Sequence, residues 1–189
     1  MAVDNHNSNT PETEKDLGQT PWWLIRSLEN LLGNEFNLDV CCIPQTAKCD
    51  YFFSLEYDLD CFAEEWIGGD DIYQPNQTYA FCNPPFSNVD PFIDRAVEQC
   101  KKNGTITAML IPNNPEVAYR RKLKEVCDTF IEMPFRLKFL RPDGSKFLDK
   151  NGKEQGPKFS CAVGIITPIG LKAPSRVIEY DFRPGFYEK

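Results

Sequence analysis

The chain has 189 residues, 41% hydrophobic and 13% aromatic, which suits one folded domain and leaves little room for a separate recognition domain. A formal net charge of -7 excludes a protein that holds a polyanion over its whole surface, because phosphate contacts need lysine and arginine. The single histidine, His6 in a polar N-terminal stretch, excludes imidazole-based triads and histidine-ligated metal centres, so no metal site is expected.

Residues 1–16 are polar and net acidic and read as a flexible tail. They lack the basic and apolar regions of a secretory signal, and no later apolar run approaches the roughly 18 residues of a membrane span. The expectation is a cytoplasmic protein without membrane contact. The eight cysteines form no CxxC pair and several sit inside apolar runs, so they read as reduced, mostly buried thiols.

From Pro21 to Leu32 apolar residues recur at helical spacing, with Pro21 in the first turn and Gly33 as a stop. The run 35–43 then reads as a buried strand, and YFFSL (51–55) and YAFC (79–82) as two more. Helical spacing returns over 91–100, followed by a strand over 105–111 and a helix from about Pro115 to Cys127. Two short apolar stretches, 129–133 and 136–140, precede a polar loop, Arg141 to Lys158, and a last apolar run, 159–169. Residues 171–189 read as a tail packed across the surface, so the domain itself is placed at 17–170. Alternating strands and helices predict an α/β fold with a mostly parallel central sheet and helices on both faces.

The most informative residues are Asn83-Pro84-Pro85-Phe86, directly after the strand YAFC and before a helix. Two prolines at the carboxyl end of a strand fix the backbone and remove two N–H donors, leaving carbonyl acceptors at the crevice where open α/β sheets bind ligands. Asn83 adds a side-chain acceptor and Phe86 a flat face for a planar ring.

This tetrapeptide resembles the (D/N)PP(Y/F) signature of amino-methyltransferases. Over about Asp16 to Ile166 the chain resembles the phage DNA N6-adenine methyltransferases of the Dam type, through segments in the same order. They are Asp16 to Pro21, similar to D-x-W-x-T-P with Gly18 for the tryptophan, and Phe36-Asn37-Leu38-Asp39 followed by Thr46-Ala47-Lys48-Cys49. Next come Phe53 to Asp58, similar to F-T-x-E-x-D, then NPPF, and finally Phe135 to Phe139, similar to G-R-L-K-F, with Pro157 to Val163 beyond it.

The resemblance implies a Rossmann-like class I methyltransferase that moves a methyl group from S-adenosylmethionine to N6 of a flipped adenine in double-stranded DNA, in a phage's host cytoplasm. It gives Asn83, Pro84, Pro85 and Phe86 the target base, and Thr20, Pro21, Asp39 and Asp58 the cofactor, although a capping role is an alternative for Asp58. A glutamine or RNA methyltransferase, or an inactive methyltransferase-like binding or anti-restriction protein, is the competing expectation. From Arg136 to Lys158 seven basic residues face three acidic ones, a local basic face in an acidic chain. Arg141, Lys146, Lys150, Lys153 and Lys158 are the expected DNA contacts.

Overall fold

The computed structural model describes residues 18–68, 77–172 and 175–185; the acidic stretch 1–16 lies outside them. Three helices form where the apolar spacing predicts them. Helix α1, Trp22–Leu32, buries Leu24, Ile25 and Leu28, with Pro21 as its extended N-cap and not inside its first turn. Helix α2, Asp90–Asn103, carries an acid in its first turn and Lys101 and Lys102 in its last, each favourable to the helix dipole. Helix α3, Ala118–Val126, turns Leu123 to the core.

The strands are β1 (Leu38–Asp39), β2 (Tyr79–Cys82), β3 (Ile106–Pro112), β4 (Thr129–Glu132), β5 (Cys161–Ile166) and β6 (Arg176–Glu179). They form one sheet in the order β1-β2-β3-β5-β4-β6. The expectation of a mostly parallel sheet is corrected: β1/β2, β2/β3 and β4/β6 pair parallel, whereas β5 runs antiparallel to both β3 and β4. The sheet is therefore mixed. Strand β5 returns from a long loop and slots between β3 and β4 without a crossover helix, which only an antiparallel insertion permits.

Two local expectations also change. The run 35–43 contributes only the two residues of β1, and YFFSL pairs with it through a single bridge, Asp39 to Phe52. Part of the expected surface tail, Arg176–Glu179, is instead the edge strand β6 on β4.

Side chains alternate across the sheet and build two apolar layers. Helices α2 and α3 cover one face, packing on Ala80, Cys82, Met109, Ile111, Phe130 and Ala162. Helix α1 covers the other, on Phe81, Ala108, Leu110, Ile131 and Val163. Gly164 lets α3 lie flush on β5, because a Cβ there would stand 2.7 Å from Leu123. All eight cysteines are free, five of them buried. No helix among the described residues is long and apolar enough to cross a membrane. The carboxyl ends of the parallel strands β1, β2 and β3 open on one edge of the sheet, the place such sheets use for ligands.

Candidate active site

Strands β1 and β2 are neighbours in register, Asp39 opposite Phe81, and the Val40 amide donates to the Phe81 carbonyl at 2.9 Å. Asp39 and Asn83 therefore leave the sheet side by side at the same edge. Beyond β2 the chain turns through the two prolines, with the Asn88 amide donating to the Pro85 carbonyl at 2.9 Å, and enters α2. Pro84 is buried and Asn83 half-buried. The Asn83 Oδ1 is buried without a hydrogen-bond partner among the described residues, an expensive state for a carbonyl oxygen held in a protein interior. The Pro84 carbonyl also accepts no hydrogen bond among the described residues.

Phe86 packs against Phe139 and Phe159, with ring centroids 5.7 and 5.9 Å away and the planes steeply inclined. These two phenylalanines stand just outside the loop Arg141 to Lys158, so both ends of that loop meet at the Phe86 ring. The loop is more ordered than its sequence suggests. It folds into two tight turns, closed by the Gly144 amide on the Arg141 carbonyl and the Gly152 amide on the Asp149 carbonyl, with both glycines at positive φ. The second turn tips a short hairpin in which the Gln155 amide meets the Phe147 carbonyl and the Asp149 amide the Lys153 carbonyl. Arg141, Lys146, Lys150, Lys153 and Lys158 are all exposed. Lys146 shares Glu154 with Lys138, at 3.5 and 2.7 Å, and Arg141 lies over the Phe147 ring at 5.5 Å.

The opposite wall is polar and buried. Asp39 is 2% exposed, and its two oxygens accept the backbone amides of Lys48 at 3.0 Å and Cys41 at 3.4 Å. Burial pushes its carboxyl up to about 6, against the lowering pull of those amides and of the Lys48 ammonium. The turn Pro44–Thr46 brings the chain back so that the Lys48 amide reaches Asp39. Lys48 in turn donates to Gln19 Oε1 at 2.9 Å, which ties Asp39 to the Thr20-Pro21 segment. Thr20 is 1% exposed and its Oγ1 has no partner among the described residues. Gln19 also pairs with Leu140 as a β-bridge and donates through Nε2 to the Arg141 carbonyl at 2.8 Å, joining this wall to the root of the basic loop.

Thr20, Pro21 and Asp39 are thus brought together, and Asn83 to Phe86 lie beside them. Asp58 is exposed, and at φ 56° it is the left-handed cap of the turn Leu55–Tyr57. An aspartate tolerates that conformation better than most residues. Sequence reasoning gave no role to Lys48, Gln19, Phe139 or Phe159, although all four lie in the motif segments and the basic loop is flanked by both phenylalanines.

Two carbonyl acceptors, Asn83 Oδ1 and the Pro84 oxygen, thus stand without a hydrogen-bond partner among the described residues, at the same sheet edge as the buried Asp39. The family described as DNA N-6-adenine-methyltransferase (Dam) matches residues 7–179, and the chain belongs to it. It is 27% identical over 149 residues to the DNA N-6-adenine-methyltransferase of Haemophilus phage HP1 (strain HP1c1), across 78% of this chain and 80% of that protein. It is 31% identical over 112 residues to the DNA N-6-adenine-methyltransferase of Escherichia phage T1, across 59% of this chain and 42% of the relative. By family it is an adenine-specific DNA methyltransferase.

Proposed function

We propose that the protein methylates N6 of an adenine turned out of double-stranded DNA, using S-adenosylmethionine, in the cytoplasm of a phage's host. The observation that carries this reading is the buried, partnerless Asn83 Oδ1 next to the proline-fixed Pro84 carbonyl. The amino nitrogen of adenine is a poor nucleophile because its lone pair is delocalised into the ring. Asn83 Oδ1 and the Pro84 carbonyl would each accept one of its N–H hydrogens, favouring a pyramidal nitrogen with its lone pair free. Phe86, held by Phe139 and Phe159, would stack on the flipped base, and Pro85 keeps the loop rigid. As the new N–C bond formed, the S–CH3 bond of the donor would break with its electron pair left on sulfur as a neutral thioether, and one N–H proton would leave to solvent; neither carbonyl oxygen acts as a base.

S-adenosylmethionine, when bound, supplies a methyl group on a positively charged sulfur. The residues present fit it: Asp39 offers a buried anion and Thr20 a buried hydroxyl with no partner. Thr20, Pro21 and Asp39 would line its site, with Asp58 at the rim. Arg141, Lys146, Lys150, Lys153 and Lys158 would meet the phosphates and hold the duplex over Phe86.

The test is mass spectrometry of nucleosides from unmethylated duplex DNA incubated with the protein and S-adenosylmethionine. N6-methyladenine is expected, and Asn83→Ala should remove it while leaving cofactor affinity in place. DNA bound but never methylated would overturn the reading in favour of an inactive binding protein.

A further inference from the structure

Lys48 is 5% exposed, and a lysine is almost never buried so deeply without an anionic partner. Its ammonium has three N–H donors, yet among the described residues it has one hydrogen-bond acceptor, the neutral Gln19 Oε1 at 2.9 Å. The Trp22 ring lies under it, 4.9 Å to the centroid, and that ring is 45% exposed, which opens this end of the wall to a ligand. The Asp39 carboxylate binds the backbone amide of Lys48 and makes no ion pair with its ammonium among the described residues. Burial draws the ammonium down from its ordinary value, with Asp39 opposing. The wall therefore holds one buried anion and one buried cation, fixed nine positions apart by the turn Pro44–Thr46 and neutralised by no direct contact with each other.

That arrangement fits one ligand chemistry. An amino-acid zwitterion carries an ammonium and a carboxylate on a single carbon, and a receptor for it needs an acid and a base a few ångströms apart, neither consumed by its neighbour. The partnerless Thr20 Oγ1, one residue from Gln19, adds a hydrogen-bonding group on the same wall. We propose that Lys48 receives the carboxylate at the methionyl end of S-adenosylmethionine while Asp39 faces its ammonium, an inference that rests on the cofactor reading above. The charge left under-compensated in the free protein is completed by the ligand, which makes Lys48 a binding residue and not only a tie between Gln19 and β1.

A structural role and a binding role separate when the ligand is varied. Calorimetry on the full chain would compare S-adenosylmethionine with decarboxylated S-adenosylmethionine, which keeps the sulfonium, adenosine and amine but lacks the carboxylate. The wild type should prefer the carboxylated form by roughly 30-fold or more, the scale of removing one partner from a buried charge pair. Lys48→Met should lose that preference by weakening the carboxylated ligand alone, and Lys48→Arg should keep part of it. Gln19→Leu cuts the tie to the loop but spares the cation, so it should keep the preference. Equal weakening of both ligands by Lys48→Met, or a wild type indifferent to the carboxylate, would overturn the proposal. A wild type that binds neither ligand would remove the cofactor reading itself, and the proposal with it.

Discussion

The wall formed by Asp39, Lys48 and Asn83 and the hairpin of Arg141 to Lys158 handle polar groups in opposite ways. In the wall polar atoms are few and buried, and those of Asn83 and Thr20 have no partner. In the hairpin they are many, exposed and partly satisfied by one another, as Lys138 and Lys146 are by Glu154. A buried unpartnered group gains much from the ligand that completes it, and salt screens it little. An exposed pair gains little from any single contact, and salt screens it strongly. The wall should therefore respond to single substitutions by large factors, and the hairpin only to several together.

The largest effect is expected at the acceptor loop. Asn83→Ala should lower turnover by about a hundredfold or more, the scale of deleting one preorganised hydrogen-bonding group at a reacting centre. Phe86→Ala should lower it by about tenfold, since base stacking is worth about 1–3 kcal/mol. Cofactor affinity, read by calorimetry, should stay within about twofold of wild type in both, a factor of small free-energy consequence. A loss of cofactor affinity equal to the loss of turnover would break the division between the two sides of the crevice.

The next effect is a pH dependence owed to Asp39, whose carboxyl is raised to about 6 by burial. Only the ionised form can face a cationic ligand, so cofactor affinity should fall by about tenfold per pH unit below 6 and level off above it. The same shift acts on stability with the opposite sense to an ordinary salt-bridged aspartate. The folded state holds this proton more tightly than the unfolded chain, so its contribution is complete below 3.8 and is lost as pH rises through 6. A shift of that size corresponds to about 3 kcal/mol. Asp39→Asn should therefore flatten the cofactor pH profile and also remove the fall in unfolding free energy between pH 4 and 7 relative to wild type, as measured by denaturant titration. A profile with the same slope in the variant would assign the titration to another group.

The parts of the molecule legible in sequence are those decided locally. The 3.6-residue spacing of Leu24, Ile25 and Leu28, and of Phe92, Ile93 and Ala96, marks α1 and α2, and the continuous apolar runs mark β3 and β5. Two prolines after a strand mark the acceptor loop. What stayed hidden depends on distant partners. The direction of β5 follows from where its loop returns, and an apolar run reads the same either way. Strand β6 is largely exposed, so Arg176–Glu179 shows no buried pattern and is ordered by its backbone pairing to β4. Lys48 reads as a surface lysine between Ala47 and Cys49, and only the return of the chain onto Asp39 and Gln19 buries it.

The smallest effect, and the one that most sharpens the contrast, belongs to the hairpin. Replacing Lys146, Lys150 and Lys153 with glutamine should weaken duplex binding and flatten its salt dependence, each lost phosphate contact lowering the slope of log affinity against log salt by roughly 0.9. The three lysines are not equivalent, because Lys146 stands 3.5 Å from Glu154 and must leave that pair to meet a phosphate, whereas Lys150 sits at the hairpin tip and Lys153 beside it. Lys146→Gln alone should then change the slope by well under one unit, and the Lys150 and Lys153 pair should account for most of the fall. Cofactor affinity should not move in any of these variants, since the wall meets the loop at its root, through Gln19, away from the three lysines. Binding titrations at several salt concentrations read the slope directly. A triple variant with the wild-type slope would move the DNA contacts off the hairpin, and a Lys146 effect as large as that of the other two would show that the Glu154 pair gives way to phosphate at no net loss.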